Sequence, residues 1–198
     1  MKKQLTLLLA LFVIVLGCSI PSSVSSQEKK PDNQATPNDA NSAKAAEAMK
    51  GLRDRLLTSQ PEEIGLSKED AAAKVWGALM EVAFVEGVVT VVSVRDGTAS
   101  IYTNTGGGLL GGYSAQKEAK RFVEEAEKHV AGMKLTKTFP YPNVGRVTFY
   151  VLTQEGVYSS EGGEQDLMYG RHALSPLFLA GTNVMTSLRA ASEKRKPD

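Results

Sequence analysis

The chain has 198 residues, 42% of them hydrophobic, with 23 lysine and arginine residues against 22 aspartate and glutamate residues. This length suits one domain of ordinary size with its own hydrophobic core. The near-balance of charge argues against a nucleic-acid-binding protein, which would carry a basic excess or stripe.

The first seventeen residues are typical of an export signal. Lys2 and Lys3 precede an apolar run, Leu5–Leu16, which is shorter than the ~20 residues that a membrane-spanning helix needs. The run ends in VLGC (Val15–Cys18), which resembles the lipobox of bacterial lipoproteins. The resemblance implies that Cys18 carries lipid and that its acyl chains anchor the protein to a membrane.

Cys18 is the only cysteine of the chain, so no internal disulfide can use it. The alternative is a simple signal peptide with an incidental cysteine. In lipoproteins of cells with two membranes, Ser19 after the cysteine implies sorting to the outer membrane. Residues 19–42 are rich in Ser, Pro, Asn, Asp and Gln, a composition that predicts a flexible linker. We therefore predict a signal peptide over 1–17, lipidated Cys18 and linker over 18–42, and a globular domain over 43–198.

Two helices are predicted at the start of the globular domain. Ala45, Met49, Leu52 and Leu56 recur at helical spacing and predict an amphipathic helix that ends near residues 59–61. A second, short helix is predicted near residue 68, because the sequence SKED (67–70) has the form of a capping box.

A run of strands follows. Residues 75–84 favour a buried strand over a helix, because aromatic and β-branched residues are abundant and Gly77 would weaken a helix by roughly 1 kcal/mol. Residues 88–94 and 98–103 flank an Asp-Gly pair, which is typical of a β-hairpin. The glycine-rich segment 106–112 then leads towards the most amphipathic helix of the chain.

That helix is predicted to begin at Ser114 as its N-cap and to end at Gly132. Strands are predicted over 133–139 and 146–153, and the last helix is predicted to begin with Ser175 as N-cap. This order predicts an α+β fold, with one mainly antiparallel sheet of five to six strands and helices packed on it. The order is similar to that of profilin-like and roadblock-type domains, a resemblance that implies a protein-interaction or dimerisation platform.

The glycine-rich segment has a nucleotide-binding interpretation. Gly106, Gly108 and Gly111 match the GxGxxG pattern between a strand and a helix, where backbone amides could hold a phosphate or dinucleotide. The preceding strand, however, belongs to an antiparallel hairpin, and the next strand offers no acidic residue for a ribose. The structural alternative is that the glycines, including Gly107 and Gly112, form a tight turn with positive φ.

In that structural alternative Leu109 and Leu110 pack into the core. A further possibility leaves both leucines exposed at the tip of the loop, where they would bind a partner.

Ser114 has a catalytic interpretation. The sequence GYSAQ (112–116) resembles a nucleophile elbow that lacks its last glycine, and Asp166 and His172 follow in the order of a hydrolase triad. Ser114 and Lys117 also match the SxxK of penicillin-recognising enzymes, in which the lysine could take the serine proton. The companion motifs of both families are missing. The simpler interpretation leaves Lys117 in solvent and makes Ser114 a helix cap.

We predict no metal and no cofactor. His129 and His172 are far apart in sequence, and Glu161, Glu164 and Asp166 fit neither an EF-hand nor a zinc pattern. Residues 161–172 are predicted to form a mobile acidic loop, and His129 is predicted to be solvated.

The function predicted from the sequence is that of an exported, lipid-anchored, non-catalytic protein-interaction module of the cell envelope. Its partner surface would combine the 106–112 loop with a facing 161–172 loop. The alternatives are a small hydrolase or transferase that uses Ser114, and a phosphate-binding domain built on the glycine segment.

Overall fold

The computed structural model describes residues 37–194, so the predicted signal peptide, Cys18 and the linker up to residue 36 lie outside the described residues. The first helix, α1, spans Pro37–Thr58 and begins before the predicted domain start at residue 43. A 3-10 turn over Pro61–Ile64 leads to the short helix α2, Lys68–Ala71. The Ser67 hydroxyl accepts a hydrogen bond from the Asp70 backbone N–H at 3.1 Å, which confirms the predicted cap.

The described residues form one sheet of seven strands in the order β4-β3-β2-β1-β6-β7-β5, and every neighbouring pair is antiparallel. The strands are β1 Val75–Phe84, β2 Gly87–Val94, β3 Ala99–Thr103, β4 Gly108–Gly112, β5 Lys134–Thr136, β6 Arg146–Thr153 and β7 Gly156–Gly163. The predicted strand over 75–84 and the predicted hairpin are confirmed.

Three more helices follow the first hairpins: α3 Gln116–His129, α4 Glu164–Met168 and α5 Ser175–Glu193. The predicted α+β class with an antiparallel sheet is therefore confirmed. None of the helices within residues 37–194 is both long and apolar enough to cross a membrane.

The predicted N-caps of α3 and α5 are each wrong by one residue. Ala115 is the N-cap of α3, because its carbonyl accepts the first helical hydrogen bond, from the Ala119 N–H at 2.8 Å. Leu174 is the N-cap of α5 for the same reason, and the Ser175 hydroxyl instead accepts the His172 N–H at 3.3 Å. In both places the serine lies next to the cap and makes no cap hydrogen bond.

The sheet is covered on both faces. Helices α3 and α5 pack on one face through buried apolar residues that include Phe122, Val123, Leu177 and Val184. Helix α1 and the segment before β6 cover the other face, which carries Trp76, Leu79, Val92, Tyr102, Tyr150 and Leu152. The alternation of side chains along each strand sends successive residues to opposite faces, so central strands that are buried on both sides are apolar almost throughout.

One end of the sheet collects several turns, and we call it the turn end. It contains the β1–β2 turn (residues 84–87), the β3–β4 turn (104–107), the segment before β6 (143–146) and the end of β7 (161–164). The opposite end contains the β2–β3 and β6–β7 turns.

Candidate partner-binding edge

The glycine-rich segment is a strand and not only a loop. Residues 104–107 make the turn after β3, and β4 then runs over Gly108–Gly112 along the edge of the sheet. Leu109 lies opposite Ile101, and Gly112 lies opposite Ala99. Three residue steps of β4 thus face two residue steps of β3, so β4 contains a β-bulge, which is common at sheet edges. The prediction of a loop over the whole of 106–112 was wrong for Gly108–Gly112, because glycine-rich strands carry little propensity signal.

The glycines of the turn allow close backbone approach. Gly106 has a φ of 99°, and a Cβ placed on it would lie 2.9 Å from the Ala45 Cβ of α1. Gly108 has a φ of 146°, and a Cβ there would lie 2.3 Å from the Ile101 carbonyl oxygen. The predicted positive φ is confirmed at both positions, and contact with α1 accounts for one of them.

Leu109 and Leu110 do not pack into the core, so that prediction was wrong. Leu109 is 36% exposed and Leu110 is 51% exposed, and Tyr113 just beyond β4 is 62% exposed. An edge strand can bury a side chain only against the one neighbouring strand and the helices that reach it. Both leucines therefore remain available to a partner, as in the alternative interpretation of the sequence.

Apart from its β-bulge, the edge of β4 carries no charged residue and no proline that would oppose strand pairing. Residues 97–116 include no charged residue and no proline, whereas natural edges are commonly blocked by lysine, proline or a covering element. Within residues 37–194, no strand pairs with the outer side of β4. The edge therefore presents backbone donors and acceptors beside exposed leucines.

The residues of the catalytic hypothesis do not come together. Ser114 and Lys117 are exposed at the start of α3, and no described hydrogen bond joins Ser114 to Lys117, Asp166 or His172. The Asp166 carboxylate accepts a hydrogen bond from Arg171 at 2.9 Å and pairs with its guanidinium. The Nδ1 atom of His172 accepts the Leu174 backbone N–H at 3.1 Å. In the part of the chain that the structure describes, none of Lys117, Asp166 and His172 is placed as a base for Ser114.

The GxGxxG pattern also lacks the geometry that phosphate binding needs. Gly106 and Gly108 belong to the turn and first residue of β4, and the whole of β4 separates them from the N-terminus of α3. A phosphate held by the glycine turn would therefore not lie at a helix N-terminus, where the backbone amides and the dipole act together.

The 161–172 segment is not a loop that faces the glycine segment. Residues 161–163 end β7, residues 164–168 form α4, and four strands separate β7 from β4. The two strands are therefore five inter-strand spacings apart, which at ~4.8 Å per spacing is roughly 24 Å, so the predicted composite surface was wrong. Residues 104–107 and 161–164 both lie at the turn end, but of the two segments only the glycine-rich one continues into an edge strand.

The histidines and acidic residues give no metal site among residues 37–194, where no three His, Cys, Asp or Glu side chains converge. His129 is partly buried and lies 3.1 Å from Glu125, so the prediction that it is simply solvated was wrong. Glu161 pairs with Arg146. Burial raises the pKa of the Glu164 carboxyl above its ordinary value.

Sequence reasoning missed a buried ion pair on the α1 face of the sheet. Arg53 of α1 and Glu81 of β1 are both almost fully buried, and the guanidinium binds both carboxylate oxygens. Arg53 also donates to the Phe139 carbonyl, and Thr90 donates to Glu81 at 3.1 Å. The Arg53 guanidinium lies 4.1 Å from the centre of the Tyr141 ring. The available signal was a single carboxylate inside the apolar run 75–84.

This cluster alters the titration of its members. Burial raises the pKa of Glu81, and hydrogen bonds from Arg53 and Thr90 oppose that rise. Burial alone would lower the pKa of Arg53, but the hydrogen bond and charge of Glu81 outweigh burial and raise the pKa above its ordinary value. Burial and then the charge of Glu81 raise the pKa of Tyr150 to about 12. The cluster is closed and satisfied, which is typical of a structural pair and not of an open site.

A shallow depression of about 250 Å³ lies at the end of the sheet opposite the turn end. Lys74, Glu155 and Tyr158 line it together with residues 130 and 131, which follow α3, and the Tyr158 hydroxyl donates to Glu155. Its volume is below the range usual for small-molecule sites, so the exposed edge of β4 is the stronger candidate site.

Comparisons with known proteins add nothing to the choice of the β4 edge as the candidate site, which rests on the geometry. No protein-family model matches the chain, and no curated protein or solved structure matches it significantly.

Proposed function

We propose that this protein is a membrane-tethered lipoprotein of the cell envelope that binds another protein through the edge of β4 and catalyses no reaction. Export and anchoring are supported by the lipobox-like sequence Val15–Cys18. Partner binding is supported by one structural observation: β4 is an uncharged, proline-free edge strand that carries the exposed Leu109 and Leu110.

The chemistry of such an edge favours an extended peptide segment of the partner. Main-chain hydrogen bonds to β4 would supply affinity, and contacts with alternate side chains would supply specificity. The glycines of β4 allow the partner backbone to approach closely, while Leu110 and Tyr113 offer apolar contact beside it.

Site-specific photocrosslinking in intact cells tests this proposal. We expect a crosslinker at Leu110 to form a discrete protein adduct, and a crosslinker at Leu179 to form none. Leu179 is the matched control, since it is 61% exposed but lies on α5 and not on a strand.

A charge on the edge should then abolish the adduct. With the crosslinker at Tyr113, Leu110→Lys should remove the adduct by placing a charge where the partner strand pairs, and Leu179→Lys should leave it unchanged. Equal adducts at Leu110 and Leu179, or indifference to Leu110→Lys, would contradict the proposal.

A further inference from the structure

The turn end of the sheet carries two highly exposed valines in neighbouring turns. Val85, in the β1–β2 turn, is 85% exposed, and Val144, before β6, is 62% exposed. The Gly145 N–H donates to the Ala83 carbonyl at 3.2 Å, so the turn that holds Val144 lies beside the end of β1, where the turn that holds Val85 begins. The two apolar side chains therefore form the tips of adjacent loops.

The chain enters the domain at this same end. Gly106 in the β3–β4 turn meets Ala45 of α1, and Arg53, further along α1, reaches Glu81 inside the sheet. Helix α1 therefore runs from the turn end towards the middle of the sheet. Its first residue, Pro37, lies about 12 Å beyond Ala45 at ~1.5 Å per residue.

We propose that the turn end faces the membrane and that Val85 and Val144 contact the lipid surface. This inference rests on the proposed anchoring through Cys18. The anchor acts on the domain through the end that carries Pro37, and even fully extended at ~3.5 Å per residue, residues 19–36 would let this end move no more than about 60 Å from the bilayer. Paired valines at loop tips lose unfavourable water contact when they enter the apolar side of the interface.

The charges at the turn end indicate which lipid surface fits. Glu86 is exposed in the same turn as Val85, and Arg146, the nearest cation to Val144 in sequence, is paired with Glu161. Lys44, next to Ala45 of α1 at the same end, is also exposed. Exposed charges of both signs give this end no strong net attraction to anionic headgroups. The occupant that fits is therefore a zwitterionic lipid surface.

A fluorescence experiment on membrane-held protein tests the orientation. The mature chain from residue 18, with Cys18→Ala and an N-terminal hexahistidine tag, is held on phosphatidylcholine vesicles that contain nickel-chelating lipid. Because Cys18 is the only cysteine, an environment-sensitive dye can then be placed at Asn143→Cys, next to Val144. The control carries the dye at Ala131→Cys, an exposed site beside the β6–β7 turn at the opposite end of the sheet.

We expect lipid-borne quenchers to reduce the emission of the dye at residue 143 and not at residue 131. The ratio of protein that contacts the lipid surface to protein that does not should fall roughly tenfold in Val85→Ser and likewise in Val144→Ser. In each variant one apolar side chain no longer gains free energy by leaving water for the lipid. Both valines are largely exposed, so the variants should keep the melting temperature.

Equal quenching at residues 143 and 131, no quenching at either, or quenching that survives both serine variants would overturn the inference. If the emission of the dye at residue 143 changes only after envelope proteins are added, the inference would likewise be overturned in favour of a protein partner. The tag replaces the lipid, so a failure of Cys18 lipidation or of β4-edge binding leaves this result interpretable.

Discussion

Arg53 of α1 and Glu81 of β1 join the first helix to the centre of the sheet, with the Arg53 Nη2 atom 2.9 Å from the Glu81 Oε2 atom inside the protein. The pair lies between Thr90 on the neighbouring strand and the Phe139 carbonyl, both of which bind it. Helix α1 is therefore fixed to the sheet by a charge pair as well as by apolar contacts.

Breaking this pair should be costly. We expect Arg53→Met to lower the free energy of unfolding by roughly 3–5 kcal/mol, because it leaves the Glu81 carboxylate buried without its partner. The double variant Arg53→Met with Glu81→Leu should recover most of the loss, since two apolar side chains replace two buried charges. Urea unfolding of Arg53→Met, of Glu81→Leu and of the double variant measures the coupling free energy between the two residues. Additive losses would show that the pair does not act as a unit.

The contact between the glycine turn and α1 can be tested with two neighbouring glycines. Gly106 and Gly107 both have positive φ, 99° and 88°, but only a Cβ on Gly106 would meet α1. Gly107→Ala should therefore cost about 1 kcal/mol of backbone strain, and Gly106→Ala should cost more. Equal melting temperatures for the two variants would show that α1 does not rest on this turn.

Glu164 should make stability depend on pH. Burial raises the pKa of its carboxyl in the folded state, so folding favours the protonated form. Its favourable contribution is present below the unfolded pKa, about 4.3, and is lost as the pH rises through the higher folded pKa. Glu164→Gln should therefore raise the melting temperature near neutral pH and lose that advantage in acid. Glu69→Gln, at an exposed site on α2, is the control. An advantage that is the same at every pH would contradict the assignment.

The sequence predicted those elements that are determined by contacts between residues close together in the chain. The hairpin of β2 and β3 follows from Asp96-Gly97, and the Asp96 carboxylate accepts the Thr98 N–H at 2.7 Å as such turns do. The start of α2 follows from Ser67 in the same way. These contacts join residues only two or three positions apart, so their chemistry is visible in a short stretch of sequence.

The features that sequence analysis missed depend on residues far apart in the chain. Strand β4 forms because β3 offers it an edge, although glycine itself disfavours strands. Glu81 is buried because Arg53, twenty-eight positions earlier, binds it. The supposed convergence of Ser114, Asp166 and His172 failed because order along the chain does not fix distance in space.

Ser114 should be neither a helix cap nor a nucleophile. It is exposed, and Ala115 is the N-cap of α3, so Ser114→Ala should change the free energy of unfolding by less than about 0.5 kcal/mol. The matched control is Ser67→Ala, which removes a hydroxyl that accepts the Asp70 N–H and should cost about 1 kcal/mol. Mass spectrometry after treatment with a fluorophosphonate should show no adduct on Ser114. An adduct that disappears in Lys117→Ala would instead establish a catalytic serine.

Lipid on Cys18 should determine whether the protein associates with a membrane. The resemblance of Val15–Cys18 to a lipobox predicts acyl chains on the cysteine, and each methylene that enters the bilayer contributes roughly 0.8 kcal/mol. Wild-type protein from the native cell should therefore enter the detergent phase of a two-phase partition, and Cys18→Ala should move it to the aqueous phase. Ser19→Ala keeps the cysteine and should leave the partition unchanged. Wild-type protein in the aqueous phase would refute lipid anchoring, because several acyl chains outweigh the solubility of a domain with balanced charge.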